Sequence, residues 1–184
     1  MPRILRNKIF FPAAAGIISG LVALGFIYRD GIAERIVNQV SDSNRQHVKQ
    51  FIGRSAPEDV IVRIGLNNAK VPIKDLLNEQ ALIMTYQEGC PACRSAINHY
   101  LALREGRTDY GSSVYLLTDE SNQRPPAGFP DRQFIAIENI PDDNMFDGRA
   151  SPRIYRFKDG VLSDFMIGYQ DSLLENWLTS MYGE

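Results

Sequence analysis

At 184 residues the chain has room for one domain with a full core plus some additional sequence. Its 44% hydrophobic and 23% charged residues are ordinary globular values, and a net charge of −2 gives no electrostatic reason to bind nucleic acid. Two cysteines only three positions apart argue against a secreted fold stapled by disulfides, because so small a loop removes little chain entropy. The pair is there for chemistry more than for stability.

The first element is an uncharged run, IFFPAAAGIISGLVALGFIY, from Ile9 to Tyr28. About twenty apolar residues at roughly 1.5 Å each match the thickness of a bilayer core. Arg3, Arg6 and Lys8 precede it, and no acid occurs before Asp30. That cluster is expected to remain in the cytoplasm, which places everything after Tyr28 on the far side. Ala23-Leu24-Gly25 offers a small-x-small cleavage pattern, but the run continues past it, so a retained anchor is the preferred reading over a cleaved signal peptide. Setting aside those three cations leaves 17 basic against 22 acidic residues, a net of −5 for the rest.

Residues 29–56 carry sparse apolar stripes (Ile32, Ile36, Val40; then Val48, Phe51, Ile52) in a polar background. They read as a juxtamembrane helical spacer, broken near Ser41, with a partner-binding helix as the alternative. The compact domain is expected from Pro57 to the end. Val60–Ile64 reads as a strand, Asn67-Asn68 as a turn, Lys70–Ile73 as a returning strand and Lys74–Asn78 as a helical turn. Ala81–Gln87 is almost continuously apolar, as expected of a central strand covered on both faces. It runs into Glu88-Gly89-Cys90-Pro91-Ala92-Cys93, after which Cys93, Ile97, Tyr100 and Leu101 share one helical face up to about Arg104, with Gly106 as the stop. Ser113–Thr118 is a second buried-type strand, completing a βαβ unit with parallel pairing.

Residues 119–151 are less regular. Pro125, Pro126 and Pro130 exclude a long helix, Gln133–Glu138 reads as a short extra strand, and Pro141–Gly148 as a helical turn. Arg153–Lys158 and Val161–Ile167 flank Asp159-Gly160, a strong hairpin signal. Gly168 breaks the second strand. A capping box at Ser172 and Glu175 then opens a terminal amphipathic helix through Leu173, Leu174, Trp177, Leu178 and Met181.

The cysteine pair sits where a strand hands over to a helix. Cys90 falls at the helix N-cap, where unpaired backbone N–H groups and the macrodipole favour a thiolate, the form that exchanges with disulfides. Pro91 suits the first helical position, and Gly89 allows the sharp approach. Cys90 is therefore expected to be the attacking thiol, with Cys93 the buried, resolving one. A structural disulfide and a metal site are the alternatives. Zinc needs four ligands, and the further soft candidates are His47 and His99. His99 lies nine positions past Cys90, about 180° around a helix and roughly 13 Å along it, so the two cannot share an ion. It reads as a surface residue. Glu88 reads as an exposed loop acid, with proton transfer at the thiols as the other possibility.

With Ser151-Pro152, the Asp159-Gly160 hairpin and the terminal helix, this pattern resembles the thioredoxin fold over about residues 57–182. The N-terminal anchor and first hairpin make it similar to the membrane-anchored redoxins of TlpA type. The resemblance implies an α/β, three-layer sandwich with a mixed central sheet, organised as a parallel central pair and an antiparallel hairpin edge, preceded by a transmembrane helix (1–28) and stalk (29–56), with the redox domain at 57–184. It implies a proline at the Pro152 position that is cis and lies against the cysteines, and backbone pairing of an extended substrate strand beside Ser151 and Pro152. It also implies disulfide exchange with protein substrates, no bound cofactor or metal, and an integral-membrane thiol carrier as electron donor. The site would face the periplasm from the inner membrane, acting as a reductase in preference to an oxidase or isomerase. Gly89 stands where the family often has Trp, and the proline-rich stretch after Thr118 replaces or shortens the family's crossover helix, either shaping a substrate groove or forming a solvated loop. A non-catalytic assembly protein and a copper-handling protein on the same fold are the competing functions.

Overall fold

The computed structural model describes residues 42–65, 69–77, 79–105, 113–119, 124–139, 144–146 and 152–182. The expected anchor, the first part of the spacer, the Asn67-Asn68 turn, Gly106 and Ser151 lie outside these residues. Among the described residues no helix is long and apolar enough to cross a membrane.

Among the described residues seven strands form one mixed sheet. They are β1 (Ile61–Ile64), β2 (Ala69–Pro72), β3 (Gln80–Thr85), β4 (Val114–Thr118), β5 (Phe134–Ile137), β6 (Arg153–Lys158) and β7 (Val161–Ile167). Their order across the sheet is β2-β1-β5-β4-β3-β6-β7. The helices are α1 (42–49), α2 (Pro91–Arg104) and α3 (Asp171–Tyr182).

The expected parallel pair is a parallel triplet, since β4 runs parallel to both β3 and β5. Phe134–Ile137 is thus no peripheral addition. It fills the middle of the sheet, buried at all four positions, and the β1–β2 hairpin attaches to its far side antiparallel. A four-residue strand gives no local sign of which neighbours it will find.

Alternation along β3 divides the core. Leu82 and Met84 face α2 and α3 together with Ile97, Tyr100, Leu174, Trp177 and Leu178. Ala81 and Ile83 face the opposite layer, with Tyr155, Phe157 and Leu162. The three-layer expectation holds for the sheet and its α2–α3 face. The opposite face is covered by Val48 of α1 and by less regular chain, including a 3-10 turn at Ile73–Leu76 and residues 144–146.

Residues from Ser43 onward belong to the compact unit. This corrects the reading of 43–56 as a spacer. Val48, Phe51 and Ala56 are buried in the core, and the chain then runs against β7. There the Gly53 N–H donates to the Leu162 carbonyl, and the Leu162 N–H to that of Arg54. These bonds cover an otherwise open sheet edge. The sparse apolar stripe is a docking stripe.

The Asp159-Gly160 hairpin forms as expected, with φ of 52° and 73°, the left-handed pair that matches strand twist. The last helix begins before the proposed capping box. The Leu174 N–H donates to the Gln170 carbonyl, so Gln170 is the N-cap and Ser172 is already helical.

Candidate active site

Strand β3 delivers the chain to the cysteines. The Tyr86 N–H still donates to the Leu117 carbonyl, continuing the pairing with β4 beyond Thr85. Gly89 then takes a φ of 79°, a conformation that a side chain would strain. Cys90, in extended conformation (φ −80°, ψ 110°), is the N-cap of α2, and Pro91 occupies the first turn. The sequence reading of this corner is therefore correct in detail.

Cys90 and Cys93 form a disulfide with their Cα atoms 5.3 Å apart. Cys90 is half-buried, whereas Cys93 is 1% exposed, on the α2 stripe with Ala96, Ile97 and Tyr100. Only one sulfur is open to attack. The Cys93 N–H donates to Cys90 Sγ at 3.1 Å, one of the helix-start donors that would stabilise negative charge on that sulfur. No acidic residue lies in the first turn of α2 to oppose it.

Pro152 is brought to the same end of the sheet. The antiparallel register Met84↔Ile154, continued by two residues, sets Pro152 across from Tyr86. Thr85 Oγ1 accepts the Arg153 N–H at 2.7 Å, and the Pro152 carbonyl accepts the Gly168 N–H at 2.9 Å. Pro152 has no N–H, and its carbonyl is engaged by Gly168 just past β7. Ser151, expected with Pro152 to pair a substrate strand, lies outside the described residues.

A cleft of about 330 Å³ opens beside Cys90. Its walls are the Tyr86–Cys90 loop, the Arg94, Ile97 and Asn98 face of α2, and Pro126-Ala127 from the β4–β5 crossover. The proline-rich stretch, ambiguous in sequence, thus forms part of the site's rim. It is held by a turn in which the Phe129 N–H donates to the Pro126 carbonyl and Gly128 supplies the required positive φ of 84°. Phe129 is buried against Tyr100, with ring centroids 5.7 Å apart. Glu88 is exposed on the rim, as expected. Arg94 and Asn98 escaped the sequence reading. The available signal was the helical spacing 90, 94, 97, 98, which puts these residues on one stripe with Cys90.

His99, expected to be an ordinary helix-surface residue, has a specific partner. It is half-buried and hydrogen-bonded to the Tyr169 hydroxyl, tying α2 to the start of α3. Burial first, and the neighbouring Asp171 carboxylate second, push the Tyr169 phenol well above its ordinary range. Among the described residues no group of three or more His, Cys, Asp or Glu is placed to hold a metal ion.

Solved structures share this architecture. A thiol:disulfide interchange protein from Bacteroides sp. matches with a TM-score of 0.52 at 17% identity, covering 72% of this chain and 91% of that one. A Chlorobium tepidum protein described as the thiol:disulfide interchange protein DsbE matches at 0.54 and 13% identity, over 72% of this chain and 98% of its own. A thiol:disulfide interchange protein of the thioredoxin family from Chlorobium tepidum TLS gives 0.50 at 14% identity, over 71% and 98%. No family model matches this chain, and no curated protein does. With its parallel strand–cysteine-loop–helix unit, its Pro152 edge and its closing hairpin and helix, the chain has a thioredoxin-like, redoxin-type fold.

Proposed function

We propose that the chain is a thiol–disulfide oxidoreductase acting on protein substrates through Cys90 and Cys93. The observation that carries this reading is the asymmetry of the pair. One sulfur sits half-open at a helix N-terminus beside a cleft, and its partner is sealed one turn below.

The mechanism follows from that asymmetry. In the reduced protein the Cys90 thiolate attacks one sulfur of a substrate disulfide. A mixed disulfide forms, and the other substrate sulfur leaves as a thiolate that takes up a proton. Cys93, deprotonated, then attacks Cys90 Sγ, which releases the second substrate thiolate and closes the Cys90–Cys93 bond. Two electrons pass from the dithiol to the substrate. The helix N-terminus lowers the cost of negative charge on Cys90 both as nucleophile and as leaving group, so the same site runs in either direction.

The uncharged run behind Arg3, Arg6 and Lys8 supports a single-pass anchor in the inner membrane, with the domain outside the cytoplasm. That location calls for an integral-membrane dithiol carrier to return electrons, and we assign the chain the reductase direction. Trapping tests the function. In Cys93→Ser the mixed disulfide has no resolving thiol, so adducts joined through Cys90 should accumulate on non-reducing gels and vanish with reductant. Absence of adducts under both reducing and oxidising conditions would contradict the proposal.

A further inference from the structure

We propose that the cleft beside Cys90 seats the cysteine-bearing segment of the partner polypeptide, and that Arg94 selects for an acidic side chain next to that cysteine. This deepens the thiol-exchange reading and rests on it.

The first argument is shape. Cys90, Arg94, Ile97 and Asn98 follow one another along α2, about 12 Å from first to last at roughly 1.5 Å per residue. That is the length of three or four residues of extended chain at about 3.3 Å each. The facing wall, Pro126-Ala127, is fixed by its turn and by buried Phe129, so the cleft is formed before anything enters it. A preformed cleft spares a ligand the entropy of ordering it.

The second argument is charge. Arg94 is exposed and makes no ion pair or side-chain hydrogen bond among the described residues. Its backbone N–H donates to the Cys90 carbonyl, so it lies one helical turn below the sulfur. Helical side chains lean toward the N-terminus, which directs the guanidinium back along the stripe toward Cys90. Glu88, the other charge on the rim, belongs to the loop before Cys90 and disfavours an acid on its own side. The preference runs against the bulk field, because the chain beyond its first 28 residues carries 17 basic and 22 acidic residues. Non-specific attraction would favour a basic partner, so an acidic preference isolates the local cation.

The test uses the full chain in its reduced form and a set of short peptide disulfides. These are identical except that the residues flanking the cysteine are Asp, Asn or Lys, with Asp placed before or after it. One of the two Asp placements should be reduced about threefold or more faster than the Lys peptide at low salt, the scale of an exposed charge pair. That advantage should shrink as salt is added. In Arg94→Gln the Asp-to-Lys rate ratio should fall to one or below, and Arg94→Lys should restore most of it. A uniform change in all rates would instead mark an effect on the Cys90 nucleophile alone and overturn the recognition claim. So would a wild-type ratio of one or less, or a ratio untouched by Arg94→Gln. If no peptide disulfide is reduced at all, the thiol-exchange reading itself fails.

Discussion

Thr85 accepts the Arg153 backbone N–H at 2.7 Å, deep in the sheet. The residue that ends the strand into the cysteine loop thereby holds the residue that follows Pro152. One hydroxyl joins the two halves of the site. Thr85→Val keeps the shape and removes the acceptor, leaving a buried N–H without a partner. The expected cost is about 1–3 kcal/mol in denaturant unfolding, and Thr85→Ser should recover most of it.

Glycine positions separate backbone strain from crowding. At Gly89 φ is 79° and an added Cβ would meet nothing within 4 Å, so Gly89→Ala carries the conformational penalty alone, about 1 kcal/mol. At Gly65 φ is 54° and the same Cβ would stand 2.7 Å from the Asp131 carbonyl oxygen. Gly65→Ala should therefore lower the unfolding midpoint distinctly more than Gly89→Ala. Equal midpoints would contradict this account of the β1 end.

Glu138 fastens three strands, contacting Arg63 of β1 at 3.3 Å and Lys70 of β2 at 2.8 Å. The Lys70 hydrogen bond is the main cause that holds its carboxyl below the ordinary value, with the charges of Lys70 and Arg63 assisting and partial desolvation opposing. A carboxyl whose pKa is lowered by folding contributes stability above its unfolded pKa and loses it as pH falls through the folded value. The wild type should thus exceed Glu138→Gln in stability at neutral pH, and the two curves should converge as pH falls through the lowered folded-state value. Parallel curves across that range would show the fastening to be worth nothing.

The parts of this molecule legible in sequence are the local ones. The cysteine corner was readable because Gly89, Cys90 and Pro91 each satisfy a separate requirement of a helix start, and the Asp159-Gly160 turn because its backbone needs two left-handed residues. Pairing across long separations was not readable. Nothing in Phe134–Ile137 says that it sits between β1 and β4. Val48 and Phe51 look like the sparse stripe of a solvated helix until the sheet they pack on is present. The α2 wall of the cleft was missed for the same reason. Arg94 and Asn98 are ordinary exposed helix residues by pattern, and only the crossover turn at Pro126-Ala127, distant in sequence, makes a wall of them. Ser151 and Pro152 came from family resemblance, and the register of β6 on β3 brings Pro152 to the cysteine end of the sheet.

The central claim is that the sulfur of Cys90 is an acidified nucleophile because α2 begins there. The most direct measurement is the ultraviolet thiolate absorbance of reduced Cys93→Ser followed against pH, which reports Cys90 alone. An apparent pKa clearly below the free-cysteine value of about 8.5 is expected. A midpoint at or above that value would mean that the helix start does nothing for the thiol, and the proposed chemistry would lose its physical basis.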